Sequence, residues 1–459
     1  MTIDGDVQQA IGQDFNLDIS NDGGSAQDLT VDAQNNLALG AGTIGVTADD
    51  NVTTLTVAGT TDAGDVTVTG AAGAASATFT GEANTGDVTV ESTGAANADA
   101  TFTGNAETGA VIVKTAGGDA TLTAGGDLTT TGINLDGSGA GTAGLTLNGT
   151  GDQTVSGAVS ANNNSDGTIT VNKSSGVATI NDTIGSNSDK IDTLVITDGE
   201  SVLNGNAWFE NDVDVAADTL TNNSGATLSA DNIIGTSGTF TNNGTADVST
   251  NVTVNTATNS GTLDVGGNVS GTDLTNSGTL DVTGGLASSA TLTNESGATA
   301  TIGSISSSGT STNAGTATVS GIISAGQLDN TGELTLGGAN IGGTINNNAG
   351  GTLNLNNDNG GATLNNRASL VIQAGGISNT SGIIDLSAEA GESATVDLTE
   401  LENTDVAITN SGTVQVGGGN AEVVVNPLLA DGESVTLVDG QDLTAEIDLA
   451  DNALLELES

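Results

Sequence analysis

The sequence predicts an all-β fold, a parallel β-solenoid drawn out as an elongated rod. Three observations predict it. The phrase TNSGTLDV is spoken from Thr258 and again from Thr275. The glycines closing such Asn-containing turns fall at Gly225, Gly244, Gly261, Gly278, Gly297, Gly315, Gly332 and Gly350, at intervals near 18 residues, and a period of this size with small scatter marks a solenoid. The composition points the same way. The chain has 69 Gly, 1 Pro and 1% aromatic residues, yet 35% of it is hydrophobic, mostly Val, Leu, Ile and Ala in short alternating runs that favour strands. No 3.6-residue apolar stripe appears, and TNSG and GGN oppose helix.

Each repeat reads as a polar Asn-Gly turn followed by a strand such as Thr262-Leu263-Asp264-Val265. Alternation sets Leu263 and Val265 on one face and Thr262 and Asp264 on the other. One coil buries only a few aliphatic side chains, so it depends on its neighbours. Stacking at about 4.8 Å pairs every strand with the next coil and places like residues above one another. Asn222, Asn242, Asn259, Asn276, Asn294 and Asn313 are therefore expected to form a structural ladder whose amides bond along the stack. The glycines beside them are expected to supply positive φ at the corners.

The first third repeats over a longer interval. TGDVTV at Thr85 has relatives at Ala63 and Thr108, and ATFTG occurs at Ala77 and Ala100. Phe79 and Phe102 are thus expected to stack inside. The domain reading is 1–206 with wider coils of about 22 residues, 207–385 with narrower coils of about 18, and 386–459 as C-terminal coils and cap, the cap lying between Pro427 and Leu457. The whole would make roughly 22 coils in a rod on the order of 100 Å long.

Charge narrows the function classes. There are 56 Asp+Glu against 4 Lys+Arg, a net charge of −52. Phosphate recognition needs clustered Lys and Arg, so nucleic acid is not expected as a partner. The opening MTIDGDVQQAIGQ has neither a basic nor an apolar leader segment, no run is long enough for a membrane helix, and the aromatic girdles of a barrel are missing. No membrane insertion by this chain is expected. Acids stacked on neighbouring coils, such as Asp264 and Asp281, repel by roughly 0.8 kcal/mol at about 5 Å in water-like dielectric, so cations are expected to help the stack. Three acids within five residues at Glu210, Asp212 and Asp214, and the pair Asp49-Asp50, are candidate weak Ca²⁺ ligands, against the plainer reading of solvated turns. The calcium repeat GGxGxDxUx has no complete copy, and GGDATLTAGGDLTTTG at 117–132 lacks its spacing.

Catalytic groups are scarce. The chain has no His and no Cys, which removes the commonest acid–base and thiol chemistry. Lys114, Lys173 and Lys190 could in form serve a Ser–Lys pair, but each reads as a turn or strand edge, and Arg367 in LNNRASL has no adjacent acid. Paired carboxylates for glycoside hydrolysis have no distinguishing pair. Trp208-Phe209 is the only aromatic pair; it reads either as an exposed contact or as a plug where wide coils meet narrow ones. Outward Thr in TFT and TVT also permits a flat ice-binding array, a reading that ordinary solenoids weaken.

Two stretches resemble the passenger repeats of bacterial autotransporters, including rickettsial-type surface antigens. The first is residues 145–206, through Leu145-Thr-Leu-Asn-Gly149, Gln153-Thr-Val-Ser-Gly157, Thr183-Ile-Gly185 and Thr193-Leu-Val-Ile-Thr197; the second is the TNSGTLDV series at 220–350. PLLADGESVTLVDGQDLTAEIDLADNALLELES at 427–459 is similar to the capping stretch before the barrel. The resemblance covers about half the chain and implies a right-handed parallel β-helix, extracellular or on a Gram-negative cell surface, adhesive or coat-forming. This sequence departs from the pattern in lacking signal peptide and barrel. The expectation is a non-enzymatic surface protein whose partners are other copies of itself or a host or environmental surface. A self-assembling filament or surface-layer subunit stabilised by cations is the alternative, and a polysaccharide-degrading β-helix the enzymatic rival.

Overall fold

The alternation seen in the sequence is what builds the solenoid. In the computed structural model, Ala75–Phe79, Val88–Ser92 and Ala98–Phe102 all bury every second residue, so each strand has one apolar face and one polar face. The structure describes residues 16–355 apart from 22–24, 32–35, 288–289, 322, 324–325, 338–343 and 349; outside that range it describes strands alone. Arg367 and the stretch expected to cap the C-terminus lie outside the residues whose side chains are described. The described residues contain strands, turns and bends and no helix. Two compact units divide the chain, 1–248 and 249–459.

In the first unit a coil carries three strands, for example Ala75–Phe79, Ala83–Asn84 and Val88–Ser92. Each pairs in parallel with the equivalent strand one coil away: Thr53–Val57 with Ala75–Phe79 and then Ala98–Phe102, Ala83–Asn84 with Ala106–Glu107, Val66–Gly70 with Val88–Ser92. Like residues then form columns. Val66, Val88 and Val111 are in register and buried, as are Val68, Val90 and Val113. Phe79 lies on Phe102 with ring centroids 5.0 Å apart and planes 14° from parallel. Room for the rings comes from Ala77 and Ala100, two residues earlier on the same inward face and buried with them. Where Leu122 follows in the alanine column, Ala124 follows in the phenylalanine column. Bulk alternates between columns, so the interior stays filled.

Equivalent residues are 22 or 23 apart through this stretch. The interval reaches 27 between Asp127 and Thr154, is 25 at Asp152 and Val177 and falls to 19 by Asn204 and Asn223. The long strand Asp166–Ile180 bends at this place, with register shifts on either side of Asn172 and left-handed φ of 81° at Gly167 and 82° at Gly176.

In the second unit coils are shorter. Thr262–Val265 pairs with Thr279–Leu286, Asp273–Asn276 with Thr291–Asn294, and Thr316–Val319 with Glu333–Leu336, all parallel. Asp264 and Asp281 are in register, as the repeated phrase requires. The glycines of the TNSG corners serve a different purpose from the one expected. At Gly278 an added Cβ would sit 2.1 Å from the Gly261 carbonyl oxygen of the coil before, and Gly278 is absent from the positive-φ residues; close stacking demands glycine there. Among the glycines closing these Asn-containing turns, positive φ is found at the longer corners of Gly225 (87°), Gly297 (85°) and Gly350 (86°), where the chain takes an extra turn before the next strand.

Candidate functional site

Polar side chains in the first unit are placed at the corners, one coil from the groups they serve. Asp65 Oδ1 accepts the Asp87 backbone N–H at 2.9 Å, and Asp87 Oδ1 accepts that of Ala110 at 2.7 Å. At the second corner Asn97 accepts from Asp119 at 3.1 Å and Asp119 from Thr142 at 2.9 Å. At the third, Asn105 accepts from Asp127 at 3.0 Å and Asp127 from Thr154 at 2.7 Å. Each of these Asp or Asn residues immediately precedes a strand, so it caps the N–H that the strand ladder leaves over. The glycine before Asp87 is needed for the same contact, because a Cβ on Gly86 would lie 2.4 Å from Asp65 Oδ1. Sequence reasoning about net charge missed this role; the signal was GDV recurring with Asp directly before the valine strand.

In the second unit the polar column is internal. Asn259 Nδ2 donates to Asn276 Oδ1 at 2.8 Å, Asn276 to Asn294 at 2.8 Å, Asn294 to Asn313 at 2.7 Å, and the chain of amides continues to Asn330 and Asn347 at 2.7 Å each. All are buried to 1% exposure or less. The Nδ2 of Asn259, Asn276, Asn294, Asn313 and Asn330 also reaches the first carbonyl of a strand one coil on, as in Asn276 to Thr299 O at 2.9 Å. In the first unit Asn222 donates to Asn242 at 2.8 Å, while Asn222 Oδ1, which lies over Leu203, is buried with no partner. Asn330 and Asn347 extend the set that the sequence singled out.

Lys173 departs furthest from its sequence reading. Taken as a turn or strand edge, it lies within Asp166–Ile180 with its side chain fully buried. Its Nζ donates to Gly149 O at 3.3 Å and to Gln153 Oε1 at 3.2 Å. Gln153 Nε2 in turn donates to Ala124 O at 2.8 Å and Gly126 O at 2.7 Å. Burial pushes the amine below the ordinary lysine range, against the attraction of Asp152 and Asp127. Lys114 and Lys190 are surface residues, paired with Glu91 at 3.5 Å and Glu210 at 3.0 Å.

The aromatic pair is split by strand alternation. Phe209 is fully buried and bridges Ile191, so it is core and not a surface contact; Trp208, on the strand Ala207–Trp208, is half-buried. Both lie where the coil shortens. The acids do not converge. Glu210 is held below the usual carboxylate range by hydrogen bonds from Lys190 and then Asn164. Asp212 accepts from Asn232 at 2.8 Å and Asp214 from the Ala216 N–H at 2.8 Å, while Asp49 and Asp50 are exposed at a distant corner. Among the described residues no group of three acids, His or Cys could hold a metal ion.

One outward face is unusually regular. Thr30, Thr56, Thr78, Thr101, Thr123, Thr146 and Thr170 are in register on successive coils, and all are half-buried. Beside that column run Thr54, Ser76, Asp99 and Thr121. The arrangement can present hydroxyls at the coil spacing of about 4.8 Å. No family, curated protein or solved structure matches this chain.

Proposed function

We propose that this chain is a non-catalytic, extracellular β-solenoid of a Gram-negative bacterial surface with a structural or adhesive role. The observation that supports this reading most is where its polar chemistry is spent. Corner carboxylates such as Asp65, Asp87, Asp119 and Asp127 accept backbone N–H groups of the next coil. The threonine column repeats one uncharged group along a face, which suits contact with an extended surface. The test is retention of labelled protein on bacterial and host cells and on insoluble polysaccharides, with released reducing sugar measured in parallel. Saturable retention without sugar release is expected; sugar release would establish the polysaccharide-degrading rival, and no retention anywhere would remove the adhesive role.

A self-assembling filament or surface-layer subunit is the second reading. The register of Asp264 over Asp281 favours it, because cations that relieve this repulsion also relieve repulsion between copies. Negative-stain images across a calcium titration decide it: growing assemblies support the reading, and single particles at every concentration remove it.

A further inference from the structure

The pocket around Lys173 fits a neutral amine better than an ammonium. The described lysine ion pairs are Lys114–Glu91 and Lys190–Glu210, and neither reaches it. An ammonium carries three N–H donors and a neutral amine two, and two acceptors face Nζ, Gly149 O and Gln153 Oε1. A buried ammonium without a counter-ion is disfavoured against the neutral amine. A neutral lysine amine shielded from water is a nucleophile. The group opposite is an electrophile, a carboxamide that is 1% exposed. Ala124 O and Gly126 O hold its nitrogen, so it cannot turn away. Nucleophile and carbonyl group are therefore held together in a buried pocket, Nζ 3.2 Å from Oε1, and such fixed placement favours intramolecular reaction.

We propose that Lys173 and Gln153 form an intramolecular isopeptide cross-link between adjacent coils. Lys173 Nζ turns its lone pair onto Gln153 Cδ, the Nζ–Cδ bond forms, and the Cδ–Nε2 bond breaks. One proton passes from Nζ to Nε2, which leaves as ammonia; nothing is oxidised or reduced. Asp127 and Asp152 are exposed and accept the backbone N–H groups of Thr154 and Val177, so the proton passes directly between the two nitrogens, which share one carbon as the Cδ–Nε2 bond breaks. The link closes a loop across 20 residues, beside the longest coils. A chain without cysteine would gain there a covalent brace that no disulfide can supply.

Intact-mass spectrometry and peptide mapping of the full chain, unfolded after purification, test the link. The expected mass is one ammonia below that of the sequence, and digestion should yield a branched peptide joining Gln153 to Lys173. Two linear peptides with unmodified Gln153 and Lys173 overturn the proposal, whatever the intact mass. Lys173→Met should restore the missing ammonia. An ammonia loss that persists in Lys173→Met belongs to cyclised asparagine elsewhere and overturns the assignment. The wild-type digest decides the matter even if that variant folds poorly.

Discussion

The coils at 53–147 and those at 259–347 solve one problem in opposite ways. The wider coils have room for stacked rings and valine columns, so their interior is mainly apolar, with single buried hydroxyls such as Ser92 and Thr115 bonded to backbone carbonyls, and their Asp and Asn side chains work from the corners. The narrower coils put an asparagine inside every turn and let its amide join one coil to the next. A thin coil offers little apolar area, at roughly 25 cal/mol per Å² buried, and gains instead from a hydrogen-bond column in which every Nδ2 has its acceptors. The difference teaches that coil length sets which kind of side chain can serve as the inner seam.

The largest break in that comparison should come from Asn276→Asp. A carboxylate there would face Asn294 Oδ1, Gly278 O and Thr299 O, the three acceptors that Asn276 Nδ2 now serves. The expected cost is about 5 kcal/mol at neutral pH. Burial raises the pKa of such a carboxyl, so the folded state would bind its proton more tightly than the unfolded state and the loss should shrink as pH falls. Denaturant titrations at neutral and acid pH measure both effects.

Phe102→Ala should come next, with a loss of about 3–4 kcal/mol through the cavity left against Phe79 and the flanking alanines, read from the same titrations. The same change should leave the second unit's own transition, followed by hydrogen exchange, nearly unmoved.

The smallest effect concerns Asp99. Burial raises its carboxyl above the ordinary range, the Thr121 hydrogen bond opposes this, and Asp119 adds to it. A raised folded value means that stability rises as pH falls through it, and that the ionised form is a burden at neutral pH. Asp99→Asn is expected to raise the melting temperature slightly at neutral pH, with the gain vanishing in acid.

Much of this was legible because repetition fixes register. Once TNSGTLDV repeats, Asp264 must lie over Asp281, and once ATFTG repeats, Phe79 must lie over Phe102. Asn222 to Asn313 were readable as a ladder for the same reason. Lys173 was not readable. NKSSG has turn chemistry, and only the bend in Asp166–Ile180 folds the lysine inward, to acceptors supplied by the preceding coils. The corner carboxylates were hidden differently: an acid beside glycine looks solvated until the backbone N–H one coil away is seen. Phe209 was ambiguous because a short strand gives too few residues to set the inward phase, and the TNSG glycines misled because a carbonyl of the preceding coil, and not the local turn, excludes a side chain.

The most direct test compares two asparagine columns by side-chain amide hydrogen exchange. Asn259, Asn276, Asn294, Asn313 and Asn330 donate within the buried ladder, whereas Asn204 and Asn223 make the same kind of bond, at 2.8 Å and 2.6 Å, on an exposed face. If the internal ladder is the seam of the narrow coils, its Nδ2 protons exchange orders of magnitude more slowly than the exposed pair and only through unfolding of the coils. Exchange at the rate of Asn204 and Asn223 would contradict the account.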